Sequence, residues 1–341
     1  MKIIVDGFGG DNAPLSVLEG CALAVEEYGV ELIVTGDEQK LKSVAAENNI
    51  SLKNIEIHHA PDVIDMHDDP VTLLKAKSQS SMAVAFQLLK EGVGDAFVSA
   101  GSTGAIVVGA NFIIKRIKGI KRAGLASVIP TINGCYMLMD CGANLDCKPE
   151  TLTHFGLMGS VYMERVLGVK EPKVGLVNIG TEDTKGGELQ LGAYAMLKDV
   201  PINFVGNVEA REIPAGAVDV AVADGFTGNI VLKLTEGLAS MFSKKLKGMF
   251  LSNPGTKVAA LLLKKQIKEF KASMDYTEYG GAPLLGSAKP VIKAHGSSNA
   301  KAFKNAIRQA KTFAESNVTG EIESALAVLK AKAAEKTEAE A

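Results

Sequence analysis

Short runs of consecutive apolar residues alternate along this chain with longer stretches in which apolar residues recur every three or four positions. The short runs predict strands at Ile3–Asp6, Glu31–Thr35, Asn54–His58, Ala96–Ser99, Leu125–Ile129, Tyr136–Asp140, Val174–Asn178, Ile202–Val205, Val218–Ala223 and Pro290–Ala294. The periodic stretches predict helices at Leu15–Tyr28, Glu38–Asn48, Val71–Lys90, Ala105–Lys118, Glu150–Leu167, Gly187–Leu197 and Asn299–Ser316. Continuous apolar strands separated by helices imply a mostly parallel sheet covered on both faces, a three-layer α/β/α architecture. No internal repeat and no linker interrupts the pattern. Residues 1–331 therefore read as a single α/β domain, and the Ala/Lys/Glu-rich tail 332–341 is expected to fray.

Residues 235–273 depart from this alternation. Two helix patterns flank the turn signal Ser252-Asn253-Pro254-Gly255, which predicts a projecting helical hairpin. Its apolar positions include Phe250, Leu251, Val258, Leu261 and Leu262, with seven lysines between positions 244 and 268 around them. A cationic amphipathic hairpin reads as a peripheral membrane surface or as a dimer interface.

The composition, 47% hydrophobic and 22% charged, is that of a globular protein, and a net charge of −2 gives no global attraction to nucleic acid. The four cysteines, Cys21, Cys135, Cys141 and Cys147, form no CxxC pair. Reduced, buried thiols in a cytoplasmic protein are expected. No signal peptide or membrane-spanning run is evident, and no histidine pair has trusted metal-ligand spacing.

Polar, glycine-bearing segments follow the predicted strands. The most informative is Val98-Ser99-Ala100-Gly101-Ser102-Thr103-Gly104-Ala105, a strand, tight turn and helix start of the kind that binds an anion through free amides. An ordinary capped turn has the same pattern. Others are Asp6–Pro14, Asp140–Asn144, Asn178–Gly186, Asp224–Asn229 and His295–Asn299. In parallel sheets ligands bind beyond the carboxyl ends of the strands, so these segments are expected to gather into one cleft.

The segments VDGFGGDNAP, SAGSTGA, DCGAN, NIGTEDTKG, FVGNVEARE, VDVAVADGFTGNIVLK, YGGAPLLG and IKAHGSSN resemble those of the PlsX-type phosphate acyltransferases, from Met1 to about residue 320. The resemblance implies a fold like that of phosphotransacetylases and isocitrate-type dehydrogenases, a homodimer, and transfer of a long-chain acyl group from acyl carrier protein to inorganic phosphate. The acyl phosphate would feed phospholipid synthesis. The chain departs from the family pattern at Ser102, where Asn is usual, and at Thr72–Lys77, where Lys75 and Lys77 stand in an element that is often Arg-rich.

Such a reaction needs positive charge beside a phosphate and N–H donors for the oxyanion that forms on the thioester carbonyl; neither metal nor organic cofactor is expected. With the resemblance, Lys185 in its Gly-flanked loop is the candidate phosphate cation, against the alternative of a solvated surface lysine. Asn229 is the candidate oxyanion or phosphate donor or a helix cap, and His295 donates to phosphate, protonates the leaving thiolate or bridges loops. Gly101, Ser102, Thr103, Gly104 and Gly228 are candidate phosphate contacts. Asp6, Asp11, Asp140, Asn144 and Asp224 would orient these groups, a metal cluster of the aspartates being the alternative.

Lys115, Arg116, Lys118, Lys121 and Arg122 place five cations in eight residues. They form a candidate docking patch for the acidic carrier protein, or ordinary helix C-terminal charge. Peripheral attachment to the inner face of the cell membrane is expected through the hairpin. Three other functions remain: a short-chain phosphotransacetylase using coenzyme A, a nicotinamide-dependent oxidoreductase, which lacks its GxGxxG fingerprint here, and a non-catalytic scaffold.

Overall fold

The computed structural model describes residues 1–132, 134–273 and 279–340, the side chains of 271–273 and 332–340 excepted. Among the described residues eleven strands form one sheet: β1 (Lys2–Asp6), β2 (Glu31–Gly36), β3 (Ile55–His59), β4 (Ala96–Ser99), β5 (Gly124–Thr131), β6 (Gly134–Met139), β7 (Lys173–Asn178), β8 (Asn203–Glu209), β9 (Val220–Val222), β10 (Ala282–Leu285) and β11 (Val291–Lys293). Their order is β3-β2-β1-β4-β11-β10-β5-β6-β9-β7-β8. The two outer portions are parallel, while β11–β10, β10–β5 and β5–β6 pair antiparallel.

The principal helices are α1 (Leu15–Tyr28), α2 (Glu38–Glu47), α3 (Ser81–Glu91), α4 (Thr103–Gly109), α5 (Pro149–Arg165), α6 (Glu188–Leu197), α7 (Gly225–Leu251), α8 (Pro254–Leu262), α9 (Lys264–Ser273), α10 (Ala300–Glu315) and α11 (Val318–Glu340). Side chains alternate across a strand, so β1 sends Ile3 and Val5 to one face and Ile4 to the other. Ile3 and Val5 meet Leu18 and Cys21 of α1 and Phe303 and Ile307 of α10. Ile4 and Phe97 meet Phe86 and Leu89 of α3. In the other half, α5 packs Phe155, Met158 and Tyr162 on the face bearing Met137, Val174 and Val222, while α7 lays Val231 and Leu232 on the opposite face. The expected three layers are present. Among the described residues no helix is long and apolar enough to cross a membrane.

Two predicted helices are broken. Val71–Lys90 is a 3-10 turn at Pro70–Leu74 followed by α3, because the Ser80 side chain accepts from the Ala83 amide and starts a new helix there. Ala105–Lys118 is α4 followed by a π-helical turn at Ala110–Ile114, and Lys115 at φ 74° ends it. The cations from Lys115 to Arg122 thus follow directly on this helix end, Lys115 as its C-cap and the others in the loop beyond it. Strand β10, with Pro283 at its second position, had no counterpart in the sequence pattern. Helix α11 takes in most of the tail expected to fray, of which residue 341 lies outside the described residues.

Candidate active site

Five of the six glycine-bearing segments meet, though not along a single edge, and Asn178–Gly186 does not join them. The central antiparallel ladders reverse the chain direction, so β1, β2, β3, β4 and β11 run opposite to β6, β7, β8 and β9. Strand β5 spans both halves. Its first residues, Gly124 and Leu125, face Leu285 and Leu284 of β10, and Ala126–Thr131 face β6 from Met139 back to Gly134. Lys293 faces Ala282, two residues before Leu284. The carboxyl ends of β11 and β6 therefore arrive from opposite directions at the level of Ala126 and Ser127.

A cleft of about 570 Å³ opens at this level. Its apolar wall is Leu125, Val128, Ile129, Leu145 and Leu232; Asp11, Thr103, Gly142, Asn229, Lys233, Glu236, Lys293 and His295 supply the polar groups. Loops from both halves, β5 between them and one face of α7 thus share a single space.

Two buried aspartates fix the loops. Asp6 accepts from the Ser81 hydroxyl at 2.6 Å and the Ser99 hydroxyl at 2.7 Å, and Ser99 Oγ accepts from the Gly101 amide at 2.9 Å. Gly9 passes so close that a Cβ there would stand 2.6 Å from Asp6 Oδ2 and 2.8 Å from the Gly101 nitrogen. Asp140 does more. Its Oδ1 accepts from the amides of Leu125, Gly142 and Ala143 at 2.9, 3.3 and 3.1 Å. Its Oδ2 accepts from the Asn144 amide at 2.7 Å and side chain at 2.9 Å. Burial lifts both carboxyl pKa values above the ordinary range, against the pull of these donors.

The start of α7 is pressed against the Asp140 loop. Asp224 caps the helix, accepting from the Thr227 amide and hydroxyl at 2.9 and 2.8 Å. Asn144 accepts the Gly225 amide at 2.8 Å. A Cβ on Gly228 would fall 1.8 Å from the Asp140 carbonyl oxygen, so only glycine permits this approach. Asn229 follows on the exposed side, its side chain next to Gly142. With Asp224 as the cap, the capping role weighed for Asn229 is taken.

On the opposite bank, the Asp11 amide donates to the Gly296 carbonyl at 2.8 Å, and Asn12 donates to the carbonyls of Ser297 and Ser298 at 3.3 Å. His295 Nδ1 lies 2.9 Å from the Ser297 hydroxyl and accepts from the Ser297 amide at 3.3 Å. Burial lowers the His295 pKa, with Glu236 opposing and Lys233 and Lys293 assisting. Lys233 and Glu236 pair at 2.8 Å. The Lys293 ammonium donates to the Ala294 carbonyl at 3.0 Å, and burial draws its pKa down to about 8.

Among the sequence candidates, Thr103, Asn229, His295 and Asp11 line the cleft, and Gly228, Asp6, Asp140, Asn144 and Asp224 lie behind it. Gly101 and Ser102 are buried beneath, and the Gly101 amide is already spent on Ser99. Gly104 lies in the first turn of α4, against Pro70. Lys185 is not brought to the cleft. Strand β9 separates β7 from β6, and Lys185 sits exposed with its stem folded over Gly180. Lys233, Glu236 and Lys293 were not singled out from the sequence, although Lys233 and Lys293 lie within the quoted segments VDVAVADGFTGNIVLK and IKAHGSSN. Cys141 lines the cleft, but burial holds its thiol up at about 12, which leaves it no nucleophile. Among the described residues no group of three or more His, Cys, Asp or Glu is placed to hold a metal ion.

Residues 1–321 match the family described as Fatty acid synthesis protein. A phosphate acyltransferase of Clostridium botulinum is 50% identical over 327 residues, covering 96% of this chain and 98% of that one. The chain belongs to the PlsX-type phosphate acyltransferase family. Other phosphate acyltransferases agree: that of Alkaliphilus oremlandii is 50% identical, with 93% and 95% of the two chains covered. The relative from Clostridioides difficile is 46% identical, with 94% and 95% covered. The chain also shares its fold with a phosphotransacetylase from Streptococcus pyogenes, at a TM-score of 0.64, 19% identity and coverage of 92% and 94%. A branched-chain phosphotransacylase from Enterococcus faecalis superimposes at 0.56, with 14% identity and coverage of 92% and 99%.

Proposed function

We propose that this acyltransferase moves a long-chain fatty acyl group from acyl carrier protein to inorganic phosphate, releasing acyl phosphate and the carrier thiol. The observation that carries the reading is the composition of the cleft: cations and N–H donors on its banks, beside an apolar wall of Leu125, Val128 and Ile129 from β5 and Leu232 from α7. A phosphate oxygen attacks the thioester carbonyl, a C–O bond forms, the C–S bond breaks, and the thiolate leaves. The Asn229 amide is placed to donate to the carbonyl oxygen as it becomes an oxyanion. His295, its Nδ1 engaged by Ser297, lines the same cleft. Lys185 enters this reading as a cation on the exposed 179–187 loop, outside the cleft lining.

Three surfaces complete the proposal. Lys115, Arg116, Lys118, Lys121 and Arg122 are all exposed, Lys121 pairing with Glu150 at 2.6 Å, and they form the docking face for the acidic carrier. Helix α7 carries Phe226, Ile230, Leu234 and Leu238 at four-residue spacing on the side away from the cleft, with Phe226 60% and Leu234 62% exposed. A stripe of that size supports burial against a second copy of this chain. At the far end of the hairpin Leu251, Val258, Leu261 and Leu262 are exposed, with Phe250 half-buried among them, which supports peripheral membrane contact.

The test is direct. The purified protein is incubated with phosphate and a long-chain acyl carrier protein, and separately with short-chain acyl coenzyme A. Acyl phosphate formed chiefly from the carrier substrate supports the reading. Faster turnover of the coenzyme A substrate, or no acyl phosphate from either, overturns it.

A further inference from the structure

We propose that Lys293 is the cation that seats the inorganic phosphate, gripping one of its oxygens at the floor of the cleft; this rests on the acyl-to-phosphate reading above. Lys293 is the last residue of a strand at the centre of the sheet, with its backbone held between Ser99 of β4 and Ala282 of β10. The two residues before it, Val291 and Ile292, are wholly buried. A lysine in such a strand sacrifices hydration, and proteins ordinarily compensate with a carboxylate. Here the ammonium meets a backbone carbonyl, and among the described residues no carboxylate stands within ion-pair distance of it. A partly buried, charge-unbalanced ammonium opening into a cleft is a seat for an anionic ligand.

The groups around it fit an oxyanion with several acceptor atoms. Thr103 opens α4 just beyond β4, His295 lies two residues on from Lys293, and Lys233 reaches in from α7. Among the described residues the two carboxylates that line the cleft are muted as repulsive neighbours: Glu236 is engaged by Lys233 at 2.8 Å, and Asp11 is exposed to water. Burial and the Lys233 charge destabilise the empty ammonium, with Asp11 opposing, and its pKa falls to about 8. A bound phosphate supplies the missing counter-charge.

Two readouts test the assignment. Limited acetylation with acetic anhydride, quantified for each lysine by mass spectrometry, should show Lys293 protected by inorganic phosphate but not by chloride at equal ionic strength. Exposed Lys53 and Lys170 should be unaffected. Kinetically, Lys293→Met should raise the phosphate KM about tenfold or more, as expected for loss of a charged hydrogen bond, and leave the carrier KM nearly unchanged. Lys293→Arg should restore the phosphate KM. It should also remove the loss of phosphate affinity expected of the native enzyme as pH rises through about 8, since arginine stays charged. Absence of protection, or equal rises in both KM values, overturns the proposal. If phosphate protects Lys293 while the native protein forms no acyl phosphate, the seat stands and the proposed reaction fails.

Discussion

Replacing Asp140 by Asn tests the architecture of the cleft with a change of almost no volume. The carboxylate accepts five hydrogen bonds, three on Oδ1 and two on Oδ2. An amide offers one oxygen and one NH₂. Turned so that the oxygen keeps Leu125, Gly142 and Ala143, it points N–H groups at the Asn144 amide and side chain. The Asn144 side chain retains the Ala123 carbonyl at 2.8 Å, but its backbone N–H is orphaned in a buried site. The other rotamer orphans three amides and is worse. An unsatisfied buried donor costs about 1–3 kcal/mol, and the donor–donor contact adds to it. Removing a desolvated charge returns part of that loss, so Asp140→Asn should destabilise by about 2–4 kcal/mol. The chain has no tryptophan, so far-UV circular dichroism through a urea titration is the suitable measurement. Turnover should fall as well, because the 141–144 loop supports Asn229. A variant within about 0.5 kcal/mol of the native protein would refute the claim that this carboxylate ties β5, β6 and the loop together.

Asn229→Ala should lose at least about tenfold in kcat while melting like the native protein; removing an oxyanion donor elsewhere costs about 10²–10³, and near-native turnover would discard the assignment. Arg116→Glu combined with Lys118→Glu should raise the KM for acyl carrier protein far more than that for phosphate, and small equal changes would remove the docking face. Leu262→Glu should abolish binding to anionic liposomes in a flotation assay while sedimentation shows an unchanged oligomeric state; undiminished flotation would reject the membrane contact.

Most strands were legible because they are short apolar runs, in β1, β2, β4 and β9 buried on both faces, a pattern that depends on little beyond its own sequence. Segments whose conformation is set elsewhere were not. Residues 71–80 carry helical spacing, yet the Ser80 cap and the pairing of Asp62 with Ser80 divide them from α3. Strand β10 exists because β5 and β11 flank it, and Ala-Pro-Leu-Leu alone carries no such instruction. The loops of the cleft were legible through glycines beside Asp and Asn after strands. Lys293 and Lys233 were not, because one closes a strand and the other sits on a helix face, positions where lysine reads as ordinary solvent-facing charge.

Lys185 shows the limit of reasoning from strand ends alone. Its loop has every local mark of a ligand loop and follows a parallel strand, as do the loops of Asp140 and Asp224. What separates them is lateral order, which no local pattern encodes. Strands β6 and β9 are the two positions nearest the reversal at β5, whereas β7 lies one strand further out. The reversal itself brings the two carboxyl edges level, because β5 gives its first two residues to β10 and the next six to β6. Had β5 paired with both neighbours over the same residues, the edges would have faced opposite ends of the sheet. The cleft therefore rests on the register of one strand, and Asp140, which bonds the Leu125 amide at the changeover, is the side chain best placed to hold that register.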